Sequence, residues 1–257
     1  MTAPRIIITG ASRGLGRATA LLLAQAGASL VLNARTASAL EQVRDAIVRA
    51  GGRASIMPGP IDAPATAEQL VAAALTDFGG IDVIINNAAV LLPVARIAES
   101  DVRQWQQLYQ VNVVGPYLLT RAALPHLRQS ANARVINISS GAALSPMPGW
   151  SAYCSSKAAL NMFTAVLAAE EPAVTALALR PGVIDTAMQQ TLRAHGAGVM
   201  PPNQHQHFLD LHRQGQLMPP EIPARAVAGL ALYAPRAWSG RFIQWQADEV
   251  QALAARI

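Results

Sequence analysis

The run Arg5-Ile-Ile-Ile-Thr9 is β-branched and apolar, stops at Gly10, and gives way to a helical pattern from about Gly14 to Ala26. This strand-then-helix unit recurs along the chain, and the recurrence constrains the fold more than any other feature. A short continuous apolar run fits a strand covered on both faces. Gly27 closes the first helix as a C-cap glycine would. Ser29 to Asn33 predicts a second strand, Ala37 to Ala50 an amphipathic helix stopped by Gly51-Gly52, and Arg53 to Met57 a weaker third strand. A helix over about Ala65 to Phe78, a strand at Ile81–Ile85, a long helical region over about Val111 to Gln129 and a strand at Arg134–Ile138 follow. A helix from Ser151 to Glu170, stopped by Pro172, a strand from Val174 to Leu179 and a last strand from Arg241 to Trp245 complete the pattern. Such alternation implies right-handed crossovers and a parallel sheet with helices on both faces. The expected fold class is therefore α/β, a single doubly wound domain over residues 1–257. Residues 187–215 break the pattern with Gly, Pro and His, and are expected to form an irregular substrate lid.

A chain of 257 residues is long enough to bury one large core. Its net charge of +5 comes from scattered arginines without a basic cluster, so nucleic acid is not an expected partner, whereas an anionic small ligand is. Cys154 is the only cysteine, which precludes an internal disulfide; no base adjoins it, so it reads as a small packing residue. No leader pattern and no apolar run of membrane-spanning length is present, so a cytoplasmic location without membrane attachment is expected. His205, His207 and His212 lack supporting carboxylate or thiolate ligands, and no metal is expected. Trp150, Met147 and Met188 fit either a substrate pocket or the core; Trp105 fits the core.

Thr9-Gly-Ala-Ser-Arg-Gly-Leu-Gly16 sits where the first strand meets the first helix. Gly10, Gly14 and Gly16 permit a tight turn, close approach to a pyrophosphate and close helix–strand packing, and Ser12, Arg13 and Leu15 complete the loop. The helix N-terminus offers its free N–H groups to the anion. A dinucleotide site follows from that placement. The second strand ends Leu32-Asn33-Ala34-Arg35, with no acid to bind a ribose 2′-hydroxyl. Arg35, with Arg13 beside it, suits a 2′-phosphate instead, so NADP(H) is the expected cofactor.

Tyr153 precedes Lys157, the only lysine, by four residues. With these residues the chain resembles the short-chain dehydrogenase/reductase family over essentially its full length. The resemblance rests on the glycine pattern, Asn86-Asn-Ala-Ala89, Asn112 within Val-Asn-Val, Ile-Ser-Ser at the end of the fifth strand, Tyr153-x-x-x-Lys157, and Arg180-Pro-Gly-Val-Ile-Asp-Thr186. The family usually has Gly where Ala89 stands. The resemblance implies that Tyr153 is the general acid/base and that Lys157 holds the nicotinamide ribose and lowers the tyrosine's pKa. It also implies that Ser140 binds the substrate carbonyl and that Asn112 supports a water-linked proton path. Pro181, Gly182, Ile184 and Thr186 would meet the nicotinamide, Asn87 and Ala88 the ribose side, and Asp62 the adenine. Family members associate through helices around residues 100–130 and 151–170, which implies a homodimer or homotetramer.

Physical chemistry agrees with these roles. A spacing of four places Tyr153 and Lys157 on one helical face, where an ammonium favours the phenolate. Short stretches at Asp185–Gln189, Gly215–Glu221 and Ser239–Ile243 are similar to the sepiapterin reductase and benzil reductase branch, which implies reduction of one carbonyl of a vicinal dicarbonyl. Alcohol dehydrogenase and 3-oxoacyl reductase activities are the enzymatic alternatives, and a catalytically silent NADP-binding redox sensor is the non-enzymatic one.

Overall fold

The computed structural model describes residues 3–257 and contains a seven-stranded parallel sheet in the order β3-β2-β1-β4-β5-β6-β7. The strands are β1 Arg5–Thr9, β2 Ser29–Ala34, β3 Arg53–Pro58, β4 Val83–Asn86, β5 Arg134–Ile138, β6 Thr175–Arg180 and β7 Phe242–Gln244. The helices are α1 Gly14–Gln25, α2 Ala37–Arg49, α3 Pro64–Phe78, α4 Val102–Tyr109, α5 Gly115–Leu127, α6 Ser151–Glu170, α7 Ala187–His195, α8 Pro202–Arg213, α9 Glu221–Tyr233 and α10 Asp248–Ala254.

Alternate strand residues divide between the two faces, as a two-residue period requires. Ile6, Ile8, Leu30, Leu32, Ile85, Ile136 and Leu179 pack under α1, α2, α9 and α10. Ile7, Val31, Ile84, Val135 and Ala176 pack under α3, α5 and α6. Both faces are dry, which explains why the strands read as continuous apolar runs rather than alternating ones. Strand order reverses between β1 and β4, and a crevice opens there at the carboxyl ends of the strands, where open sheets of this kind bind ligands. Among the described residues no helix is long and apolar enough to cross a membrane.

Three expectations are corrected. The strand read at Ile81–Ile85 runs from Val83 to Asn86; Asp82 just before it still bonds to the Arg5 carbonyl and the Arg134 amide, and its carboxylate accepts from the Arg5 amide at 2.9 Å and from the Arg5 guanidinium at 2.8 Å. The helical region read from Val111 begins at Val102, capped by Asp101, whose side chain accepts from the Gln104 amide. Its apolar residues Val102, Trp105, Leu108 and Tyr109 recur at helical spacing, a pattern that sequence reasoning missed. Residues 187–215 are not irregular. They form α7 and α8, and Gly196 and Pro201 near the joint had suggested a loop.

Candidate active site

The glycine loop is built for a ligand that approaches the backbone. Gly10 and Gly14 have φ of +64° and +52°, a region costly for any residue with a Cβ. A Cβ on Gly10 would stand 2.8 Å from Asn87 Nδ2, and one on Gly16 would stand 2.3 Å from the Gly10 carbonyl oxygen. Gly16 is thus a packing glycine and does not line the crevice; Gly10, Ser12, Arg13, Gly14 and Leu15 do. No side chain caps α1, so its first-turn N–H groups are available to an anion at this 12-residue helix's N-terminus.

Asn87 and Ala88 line the same crevice, but the Asn87 side chain also braces the loop. Its amide donates to the Thr9 and Gly10 carbonyls at 2.9 and 3.1 Å. Thr9, which sequence reasoning missed, is the counterpart: its buried hydroxyl accepts from the Asn87 and Ala88 amides, both at 3.0 Å. A hydroxyl at the last strand position before the first glycine was the available signal.

At the other end, Ala34 and Arg35 line the crevice with Asp62. Asn33, at the position before Ala34, is committed to the sheet edge through the Met57 and Gly59 carbonyls at 2.9 and 3.1 Å. Arg13, Arg17 and Arg35 all line the crevice, and among the described residues none of them has an ion-pair partner. Arg17, one helical turn beyond Arg13, adds a cation not foreseen from the sequence. Asp62 accepts from Gln107 Nε2 at 2.9 Å, a contact that ties the loop after β3 to α4.

The centre of the crevice is held by α6. Tyr153 and Lys157 are 7% and 3% exposed, and Lys157 Nζ stands 5.7 Å from the tyrosine ring centroid. The ammonium donates to the Ile138 carbonyl at 2.8 Å, which fixes the lysine against the end of β5. Burial pulls the Lys157 pKa down to about 8. Burial also pushes the Tyr153 pKa up to about 12, opposed by a hydrogen bond from Ser140. The phenol's pKa thus stands above its ordinary value, where the resemblance implied a lowered one. Burial dominates the phenol's shift, and the Lys157 ammonium is directed at a main-chain carbonyl. Ser140 follows β5, lines the crevice, and its hydroxyl accepts from the Ala142 amide at 3.2 Å.

Asn112 lies outside the crevice wall and is fully buried. Its side chain grips Val90 at both ends, accepting from the Val90 amide and donating to the Val90 carbonyl, each at 2.9 Å. It also donates to Ser156 on α6 at 3.3 Å, so it joins the loop after β4 to the helix bearing Tyr153. Asn112 occupies a π-helical turn, Gln110–Val114, between α4 and α5. Pro116 supplies no N–H four residues on, so the Asn112 carbonyl lacks its usual helical donor.

The loop after β6 closes the near wall with Pro181, Gly182, Ile184 and Thr186. Gly182 has φ +87°, and a Cβ there would meet Trp245 Nε1 at 2.8 Å and Met218 Cε at 2.9 Å. The Thr186 methyl would lie 3.1 Å from a Cβ on Gly14, so this loop touches the glycine turn. Main-chain bonds from Asp185 N to Met218 O at 2.8 Å and from Met218 N to Val183 O at 3.1 Å clamp the two ends of the α7–α8 excursion together. From that clamp α8 folds over an apolar end of the crevice. Phe208 stacks on Trp150 with centroids 5.8 Å apart, and Trp150 meets Tyr153 edge-to-face at 5.9 Å. Trp150, Met147 and Met188 line the crevice, so they belong to the pocket wall as well as to a small apolar cluster with Leu192 and Phe208. Phe208 was missed, although it and Leu211 make an i, i+3 apolar pair on a largely polar helix. Trp105 stacks on Tyr109 at the edge of that cluster. Cys154 packs against it too, and burial raises its thiol pKa, consistent with a packing role. His205 meets the Arg193 carbonyl at 3.0 Å, whereas His207 reaches the crevice wall.

The whole crevice measures about 1230 Å³, larger than the usual ~300–1,000 Å³ of a single small-ligand pocket, and so has room for a nucleotide and a substrate together. Its donor set fits a dinucleotide: uncapped helix amides and glycines at one point, unpaired arginines at the other.

Residues 4–197 match the family model described as short chain dehydrogenase. An uncharacterized oxidoreductase of Schizosaccharomyces pombe is 35% identical over 246 residues, covering 94% of this chain and 96% of that protein. A benzil reductase ((S)-benzoin forming) of Saccharomyces cerevisiae is 33% identical over 258 residues, covering 95% and 97%. The crystal structure of the KRED1-Pglu enzyme superposes with a TM-score of 0.89 at 40% identity, covering 94% of this chain and 100% of that one.

Proposed function

The chain belongs to the short-chain dehydrogenase family, and from that premise we propose that it is an NADPH-dependent carbonyl reductase acting on ketones, including one carbonyl of a vicinal dicarbonyl. The observation that carries this reading is the buried pair Tyr153 and Lys157 on α6, sharing the crevice with Ser140 under an apolar wall. When bound, the reduced nicotinamide nucleotide supplies the hydride. Ser140 donates a hydrogen bond to the substrate oxygen and stabilises the charge that develops there. Tyr153 then gives its proton to that oxygen, completing the alcohol. A buried phenol is already in the protonated form that can donate to the substrate oxygen. Lys157 offsets the phenolate left behind, and Arg13, Arg17 and Arg35 suit a 2′-phosphate on the nucleotide. The apolar and aromatic wall of Trp150, Met147 and Phe208 suits a bulky aryl or alkyl ketone.

We assign self-association to the helices α5 and α6. Tyr117, Met162 and Val166 leave large apolar side chains exposed there, at 47%, 65% and 44%. The test of function is initial-rate measurement with NADPH and NADH against aryl 1,2-diketones, mono-ketones and 3-oxoacyl thioesters. Turnover of ketones with NADPH preferred supports the reading. Nucleotide binding without turnover of any carbonyl would replace it with the silent-sensor alternative.

A further inference from the structure

Arg180 ends β6 on the sheet face that Ala176 shares, toward α6, and its backbone is tied at the strand end, its carbonyl accepting from the Trp245 amide at 3.0 Å. The guanidinium occupies the space where a side chain on Gly141 would begin. A Cβ on Gly141 would stand 2.8 Å from Arg180 Cζ and Nε and 3.1 Å from Nη2. Gly141 is not among the positive-φ glycines, so its backbone does not call for glycine; the space for the guanidinium does. Gly141 is the residue after Ser140, and consecutive Cα atoms are about 3.8 Å apart, so the cation is seated beside the carbonyl-binding serine. Arg180 lines the same crevice as Ser140 and Tyr153. Among the described residues it has no ion-pair partner, although Asp62, Asp185 and Glu221 share the crevice wall. The other cation at this end, Lys157, is already bonded to the Ile138 carbonyl. Arg180 thus presents an unused planar fork of donors from a rigid strand end.

We propose that Arg180 is a specificity-determining residue that binds an oxygen acceptor on the carbon next to the reacting carbonyl: the second carbonyl of a 1,2-diketone or the carboxylate of a 2-oxo acid. The proposal rests on the ketone-reductase reading above. With the first oxygen on Ser140 and Tyr153, a neighbouring guanidinium meets the spacing of two oxygens on adjacent carbons. It also acts on the chemistry, because a donor on the adjacent oxygen withdraws electrons from the carbon that accepts hydride.

The experiment compares wild type, Arg180→Met and Arg180→Lys on matched pairs of ketones: 1,2-diphenylethane-1,2-dione against 1,2-diphenylethanone, and phenylglyoxylate against acetophenone. Loss of a charge-assisted hydrogen bond should lower kcat/KM for the vicinal member of a pair by ~10- to 100-fold in Arg180→Met, with the mono-ketone within about twofold. Arg180→Lys should recover part of the loss. Loss confined to the diketone identifies a neutral second carbonyl, and loss confined to phenylglyoxylate a carboxylate. Equal loss on both members of each pair, no loss on either, or weakened NADPH binding in a fluorescence titration would each overturn the proposal. Arg180 is exposed, so Arg180→Met is expected to fold, and its thermal unfolding checks this. A wild-type enzyme that reduces no ketone would instead remove the reductase reading, and the proposal with it.

Discussion

Replacing Tyr153 by Phe separates chemistry from architecture in this crevice. The ring keeps its edge-to-face contact with Trp150 at 5.9 Å, because only the hydroxyl is removed. The one side chain shown acting on that hydroxyl is Ser140, which retains its bond from the Ala142 amide at 3.2 Å. The cost in folding stability should therefore stay within about 1 kcal/mol, the net worth of one hydrogen bond. Burial of a polar group without a strong partner is unfavourable, so a small stabilisation is also consistent. Reduction, by contrast, loses its proton donor. A positioned general acid contributes ~10²–10⁴ in rate. At about 1.36 kcal/mol per tenfold, that is about 2.7–5.4 kcal/mol of barrier. The upper end is expected, since Tyr153 is 7% exposed and Trp150 and Phe208 roof the site against water that could substitute. The assay combines initial rates of nicotinamide oxidation, fluorescence titration with NADPH and thermal unfolding. Unchanged binding and melting with kcat down at least ~100-fold is the expected result. A loss below ~10-fold with the fold intact would show that another group delivers the proton.

Arg35→Asp should weaken NADPH binding by ~10- to 100-fold while leaving NADH within about threefold, read as the ratio of kcat/KM for the two nucleotides; equal effects would mean that the 2′-phosphate is recognised elsewhere. The reduction rate should fall as pH rises through about 8, because the Lys157 ammonium that offsets the phenolate is lost there, well before Tyr153 ionises at about 12. A pH–rate profile whose alkaline limb appears only above 10.5, the ordinary lysine value, contradicts this. The same shift has a stability sign: between about 8 and 10.5 the unfolded chain holds a proton that folded Lys157 has released, so this group's contribution to stability rises with pH across that window. Thr9→Val keeps the shape but removes the acceptor shared by the Asn87 and Ala88 amides, each unsatisfied donor costing about 1–3 kcal/mol. A fall in Tm on the order of 10 °C is expected, and an unchanged Tm would show that the braced turn is unimportant.

The local sequence was sufficient for the alternating elements, the parallel sheet and the glycine turn, because each of these is encoded within a few residues. β-branched runs buried on both faces, glycines at positive φ and a four-residue helical spacing carry their physics in order along the chain. It was also sufficient to set Tyr153 and Lys157 on one face of α6. Tertiary structure alone decided how strongly their surroundings act. Desolvation under Trp150 and Phe208 comes from residues 55 positions away in the case of Phe208, which no local pattern reports. It likewise decided that Asn87 braces Gly10, that Asn112 holds Val90, and that Gly141 makes room for Arg180. Hydrogen bonds and steric contacts between distant segments depend on where the sheet brings strand ends together, and pKa values depend on the dielectric that assembly creates. The residue types proposed for catalysis are thus written in the sequence, while their surroundings and the shape of the apolar wall are properties of the packed molecule.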